Sequence, residues 1–233
     1  MSERFYLNLP LAPGPVHLDG PEAHHLATVC RLRPGDPVCL FNGDGHEYPA
    51  LVTHADRREV ILDITGIESP QRERLTPIHV GAALPKGDRV QFLIEKLTEL
   101  GVTTFTPIEC EHSASYPRDG KREKLERYVI EASKQCRRNR LMQIADPMPM
   151  RAFCATREPM ELSLIAHPYD AQPLPRMETA RSIRIIIGPE GGLTDAEVQH
   201  AVSLGWQAVS LGPRILRTET AAIALVAAVG VLA

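Results

Sequence analysis

Two glycine-proline turns hold the residues of this 233-residue chain best suited to chemistry. The first is Gly188-Pro189-Glu190-Gly191-Gly192, set between the apolar run Ile183–Ile187 and the polar start Thr194-Asp195-Ala196-Glu197. Gly191 and Gly192 permit positive φ and let the backbone approach a ligand with no Cβ in the way. The second, from Leu211 and Gly212 through Arg214, Ile215, Leu216 and Arg217 to Glu219 and Thr220, repeats the arrangement just ahead of an apolar stretch, Ala221–Ala233. It brings an arginine, Arg217, and a carboxylate, Glu219, to the same kind of place as Glu190. Such groups can steady a developing anion and receive a proton. A lone glycine turn serves equally well as a tight β–α connection with no ligand. Two at one sheet edge are a stronger signal together. Nucleotide loops of the familiar kinds are excluded, because there is no GxGxxG and no Lys-Ser/Thr after the glycines to hold phosphates.

Turns of this kind need a scaffold that brings strand ends together. Ile183–Ile187 is apolar on both faces, as in a covered parallel sheet. Thr194 and Glu197 stand in the S/T-x-x-E relation of a capping box, which fixes the start of a helix over Asp195–Ser203. A strand over Gln207–Leu211 and a closing helix over Thr220–Leu232 follow. Upstream, strands over Ile78–Leu84, Thr103–Ile108 and Leu162–Ala166 alternate with helices over Asp88–Leu100 and Arg122–Arg138. The alternation predicts an α/β domain with a mainly parallel sheet over residues 77–233. Ligands in such sheets bind at the carboxyl ends of the strands, where both turns lie.

Residues 1–70 have a different texture, that of a small β-rich unit. Val38–Asn42 and Glu47–Thr53 flank the hairpin signal Gly43-Asp44-Gly45, and Glu59–Ile67 alternates roughly every second residue. His24–Leu32 predicts one or two helical turns, and the polar run 69–76 is the candidate linker. The closing helix is apolar all round and must be covered on every side, by a dimer interface or by the rest of the domain.

Hydrophobic residues make up 43% of the chain and charged ones 24%, as in an ordinary folded protein. The net charge of −3 hides an asymmetry. Between Arg118 and Arg140 nine basic residues stand against four acidic ones, enough to make a phosphate-binding face on an acidic protein. Lys134, Arg137, Arg138 and Arg140 are the candidates there, with Arg31 and Arg33 in a turn near the start; a plain solvated face is the alternative. The five cysteines are odd in number and form no CxxC, which suits free thiols in a reducing compartment. His24 and His25 have no third ligand at a sensible spacing, so no metal is expected. No stretch reaches the roughly 20 apolar residues of a membrane span, and the start lacks a signal peptide's apolar core. Cytoplasm is the expected location.

The words IGPEGGLTDAEV and LGPRILRTETA closely resemble the C-terminal signature of the SPOUT methyltransferases, and within these the bacterial 16S rRNA uracil-N3 methyltransferases. Arg31-Leu-Arg-Pro-Gly-Asp36, Lys86-Gly-Asp88, Lys96-Leu-Thr-Glu-Leu-Gly101 and the run Glu131–Arg140 match as well, so the resemblance covers nearly the whole chain. It implies a PUA-like β-barrel over residues 1–70, binding RNA, and a C-terminal α/β-knot domain over 77–233, in which the chain threads a loop. It implies S-adenosylmethionine as cofactor, held in the knot loops by His167, Ile187, Gly188, Gly191, Gly192, Leu211, Gly212, Ile215, Leu216, Arg217 and Thr220. The implied partners are 16S rRNA in the small ribosomal subunit and a second copy of the chain, forming a homodimer. The implied reaction is methylation of uracil N3 at a single uridine, uridine-1498 in standard rRNA numbering. Arg217 is the expected catalytic cation, with Glu219 or Glu190 orienting it or taking the proton. Lys86 joins the expected RNA contacts. A non-catalytic RNA-binding protein, or a SPOUT enzyme acting on a ribose 2′-oxygen or on tRNA, remains the alternative. One departure is visible: the family commonly has a glycine where this chain has Arg137.

Overall fold

The structure, a computed structural model, describes residues 3–56, 58–113, 121–158, 160–168, 172–175 and 180–232. Arg118 and Asp119 of the basic stretch, and Ala233, lie outside them. The chain divides into two units, Met1–Glu73 with Ser133–Arg140, and Arg74–Ala132 with Leu141–Ala233.

The first unit is a mixed sheet of β1 (Glu3–Tyr6), β2 (Gly14–Asp19), β3 (Pro37–Phe41), β4 (Tyr48–Ala55) and β5 (Glu59–Ile64), in the order β1-β3-β4-β5-β2. β1 runs parallel to β3, and the other pairs are antiparallel. Period-2 alternation sends Val38 and Leu40, Tyr48, Ala50 and Val52, and Val60, Leu62 and Ile64 into one core. A short helix, α1 (Gly20–His24), runs into a π-helical turn at His25–Val29. The hairpin at Gly43-Asp44-Gly45 forms as its composition predicts. Both glycines have positive φ, and Asn42 and Asp44 accept from the backbone two residues on.

Residues 133–140 belong to this unit for reasons visible in its polar contacts. Arg4 donates to Asn139 Oδ1 at 2.6 Å, and Arg138 donates to the Glu73 carboxylate at 2.8 Å. Arg72 donates to the Arg137 carbonyl at 3.2 Å. The buried Glu47 carboxylate takes ion pairs from Arg4 and Arg72. Burial would raise its pKa, but hydrogen bonds from those two guanidinium groups outweigh it and hold the carboxyl below the usual range.

In the second unit, β6 (Ile78–Ala82), α2 (Arg89–Glu99), β7 (Thr104–Glu109) and α3 (Lys121–Cys136; through Ala132 in this unit) come first. Then follow β8 (Gln143–Ile144), β9 (Met148–Pro149), α4 (Met150–Ala155), β10 (Glu161–Ala166), β11 (Ser182–Ile187), α5 (Asp195–Ser203), β12 (Gln207–Val209) and α6 (Thr218–Leu232). The sheet runs β12-β10-β11-β6-β7-β8, every pairing parallel, with β9 joined to β7. Ile185 of β11 packs into one core with Leu93, Leu97 and Leu225, while Ile186 packs into a second with Phe153 and Trp206. Both faces are covered, which is why every residue of Ile183–Ile187 except Arg184 is apolar. The expected fold class, α/β with a mainly parallel sheet behind a β-rich N-terminal unit, is the one found.

Several elements differ from expectation. β1 and β2 flank the stretch 7–13, with prolines at 10 and 13, and β8, β9 and α4 span six residues or fewer, too short for a periodic pattern. α6 begins two residues earlier than expected, placing Thr218 and Glu219 in its first turn. Ala222, Leu225, Val226 and Val229 of this helix are buried, and it packs on α2. Ile223, Ala224 and Ala227 are only half-buried. No described helix is long and apolar enough to cross a membrane.

Candidate functional site

Three neighbouring strands, β12, β10 and β11, end side by side, and the chain leaving each of them lines one pocket of about 280 Å³. From β10 come Ala166, His167 and Pro168; from β11, Ile187 through Leu193; from β12, Leu211, Gly212, Arg214, Ile215 and Leu216. Asp195, Thr218 and Ala221 complete the wall. In register, Ala166 pairs with Ile187 on one side and Val209 on the other, so the sheet itself sets the pocket floor.

The glycines are required by close approach. A Cβ on Gly188 would stand 2.7 Å from Leu193 Cγ, and one on Gly191 would stand 2.9 Å from His112 Cβ. Gly192 and Gly212 have φ of 77° and 103°, a region side chains avoid. Polar contacts then brace the first turn. Thr218 Oγ1 donates to the Gly188 carbonyl at 3.1 Å, tying it to the start of α6. His112 Nδ1 lies 3.2 and 3.3 Å from the carbonyls of Gly191 and Gly192, so this nitrogen carries the proton. The capping box at Thr194 and Glu197 is present, and Glu197 also accepts from the Glu111 amide at 2.9 Å.

Charge gathers at one side. Glu190, on the wall, pairs with Arg89 at 2.9 Å. The same guanidinium lies 3.9 Å from Glu219, which is 5% exposed and whose Oε2 has no hydrogen-bond partner. The pocket thus offers apolar walls and a bias of negative charge. That suits a ligand with a flat apolar part and a cationic centre.

Of the residues expected to hold a cofactor, His167, Ile187, Gly188, Gly191, Gly192, Leu211, Gly212, Ile215 and Leu216 line this pocket, whereas Arg217 and Thr220 are exposed and do not. Of the expected catalytic groups, Glu190 lies on the wall, Glu219 is buried, and Arg217 stands exposed at the end of the second turn. Arg89, His112 and Thr218 were not anticipated. Arg89 carried one signal in sequence: a cation in a helix's first turn opposes the macrodipole and so calls for a partner.

Among the expected phosphate contacts, Arg31, Arg33, Lys134, Arg137 and Arg140 belong to the first unit and Lys86 to the second. All but the half-buried Lys134 are exposed. Arg138 is a correction. It is 5% exposed, with its guanidinium on Glu73, so its place is that of an internal brace. Lys134 lies near the Arg31 turn, since its charge acts on the Cys30 thiol, whose pKa burial raises. Arg31 and Arg137 both adopt left-handed backbone, with φ of 54° and 65°. Among the described residues no three His, Cys, Asp or Glu side chains gather as a metal site needs.

Residues 71–230 match the model of an RNA methyltransferase domain, and residues 18–65 that of an RNA methyltransferase PUA domain. The ribosomal RNA small subunit methyltransferase E of Synechocystis sp. is 33% identical over 223 residues, spanning 93% of this chain and 73% of its own. Its counterpart from Bacillus subtilis is 28% identical over 225 residues, spanning 91% and 88%. A crystal structure of the Neisseria gonorrhoeae ribosomal RNA small subunit methyltransferase E bound to S-adenosyl methionine superposes with a TM-score of 0.92. It is 33% identical and covers 100% of this chain and 98% of its own.

Proposed function

We propose, from the premise that the chain belongs to the RNA methyltransferase family, that it transfers a methyl group from S-adenosylmethionine to N3 of a single uridine in 16S rRNA. The observation that carries this reading is the pocket built by two glycine turns and a third strand end on one sheet edge. Its residues fit the donor. The first turn leaves no room for a Cβ at Gly188 or Gly191 and so packs tightly at the strand end, and Ile215, 78% exposed, offers an uncovered apolar wall. When bound, the donor supplies an electrophilic methyl on a sulfonium.

Uracil N3 carries a proton at neutral pH, and its lone pair cannot attack until that proton leaves. The proton passes to a carboxylate, the N3 pair forms the new bond to the methyl carbon, and the carbon–sulfur bond breaks to leave a neutral thioether. Glu190 is assigned to receive the proton, a reading supported by its position on the pocket wall, whereas Glu219 is buried and does not line it. Arg217, exposed beside the pocket, is assigned to the negative charge that forms on O2 and O4. The chain's other roles follow the same reading. Residues 1–70, with Arg31, Arg33, Lys134, Arg137 and Arg140, grip rRNA phosphates in the assembled small subunit, residues 77–233 carry the chemistry, and the reaction takes place in the cytoplasm. The half-buried flank of α6, with Ile223, Ala224 and Ala227, supports a homodimer; sedimentation as a monomer would remove that part.

The test is incubation with radiolabelled donor and bacterial small subunits, followed by nucleoside mapping. Label at N3 of one uridine is expected, and label on a ribose 2′-oxygen, on tRNA or nowhere overturns the assignment. Arg217→Ala should keep donor affinity and lose about a hundredfold or more in turnover, as removal of one anion-stabilising donor does. Near-normal turnover would end its catalytic role.

A further inference from the structure

One residue outside the pocket wall governs how much negative charge the pocket presents. Among the described wall residues, two carboxylates, Glu190 and Asp195, stand against one guanidinium, Arg214. Arg89, at the first position of α2, pairs with Glu190 at 2.9 Å through one arm. Its other arm faces Glu219 at 3.9 Å. Glu219 is 5% exposed, and its Oε2 has no hydrogen-bond donor. A buried carboxylate oxygen in that state is costly, and the attraction of Arg89 offsets part of the cost. Arg89 is therefore shared between two acids, and it cancels the charge of Glu190 only in part.

The two molecules that exchange in this pocket differ in charge. The donor bears a sulfonium, while the product, S-adenosylhomocysteine, is a neutral thioether of nearly the same shape. Shape alone cannot tell them apart, but a wall carboxylate attracts the sulfonium and gains nothing from the thioether. We infer that Glu190 and Arg89 together set the selectivity for donor over product: Glu190 supplies the attraction, and Arg89, held from behind by Glu219, limits it. The inference rests on the pocket being the donor site proposed above. It makes Glu190 a specificity-determining residue and Arg89 a positioning residue that acts through it. Moderation has a use, because a pocket that holds the charged form too tightly gives up part of the free energy that methyl transfer should draw on.

Calorimetry tests this without RNA. The quantity is the ratio of the product's Kd to the donor's Kd in the wild type, Glu190→Gln, Arg89→Met and Arg89→Lys. The ratio should fall about threefold to tenfold in Glu190→Gln and rise by a similar factor in Arg89→Met, as expected for one partly screened charge at close range. Arg89→Lys, which keeps the charge, should stay within about twofold of the wild type. Opposite signs are the signature, since loss of a mere brace would weaken both ligands together. An unchanged ratio, or shifts of the same sign, overturns the inference. A wild type that binds neither molecule removes the donor site and this inference with it. A protein that shows the opposed shifts but methylates nothing loses only its assigned substrate.

Discussion

Arg137 sits at φ 65°, where a Cβ crowds the neighbouring carbonyl, yet its carbonyl is used by Arg72 and the residues on either side are fixed. The conformation is imposed by the surroundings rather than chosen by the side chain. Arg137→Gly should therefore stabilise the fold by about 0.5–1 kcal/mol, the relief of left-handed strain less the extra freedom of glycine in the unfolded chain. Chemical denaturation would show it, and a lower midpoint would mean that the Arg137 side chain contributes more than the strain costs. Gly188 is the reverse case. Gly188→Ala forces a Cβ to within 2.7 Å of Leu193, so the turn must shift, and donor affinity should fall about tenfold by calorimetry. At this scale the sequence was informative wherever residues next to one another in the chain also line the pocket, as in Gly188–Gly192 and Leu211–Leu216. It was silent on His112 and gave only the first-turn cation for Arg89; these reach the site from beyond β7 and from α2, far away in sequence.

β11 and its neighbours were legible because parallel strands covered on both faces are mostly apolar, with Arg184 the one charged break in β11. What periodicity could not show is the charge stitched across them. Glu161, 5% exposed, accepts from Arg184 Nε at 2.8 Å, and the Arg184 guanidinium lies over Phe153 at 4.9 Å. His79 of β6 pairs in register with Arg184. Burial, and then the Arg184 charge, press the His79 pKa below the usual histidine value. The folded state therefore keeps His79 neutral where the unfolded chain would protonate it. That contribution to stability is present above the unfolded value near 6.5 and is lost as pH falls through the folded one. The melting temperature should decline between about pH 7 and 5, and His79→Gln should flatten that decline. Equal slopes in the two proteins would show that His79 does not contribute. The start of α6 and the short β8, β9 and α4 escaped the sequence because tertiary contacts, such as Thr218 with Gly188, set them rather than local preference.

Composition separates a β-rich start from an α/β remainder, yet no local pattern says that residues 133–140 complete the first unit. That follows from pairings such as Arg4 with Asn139 and Glu73 with Arg138, each spanning more than sixty positions. The surface cations of that unit, half-buried Lys134 included, should dominate RNA affinity. Replacing Lys134, Arg137 and Arg140 with glutamine should reduce the slope of log affinity against log salt by about 2, for three phosphates in single-stranded RNA. An unaltered slope would clear them of any contact with the backbone.

The late arrival of residues 133–140 also bears on how the protein is born. During translation the opening module emerges first, but Asn139 and Arg138, the partners of Arg4 and Glu73, are still unmade. The nascent chain must wait with that surface unfinished until Arg140 clears the exit tunnel, so a gene fragment stopped at Glu73 should yield a module that unfolds at a lower denaturant concentration than the same module in the whole chain.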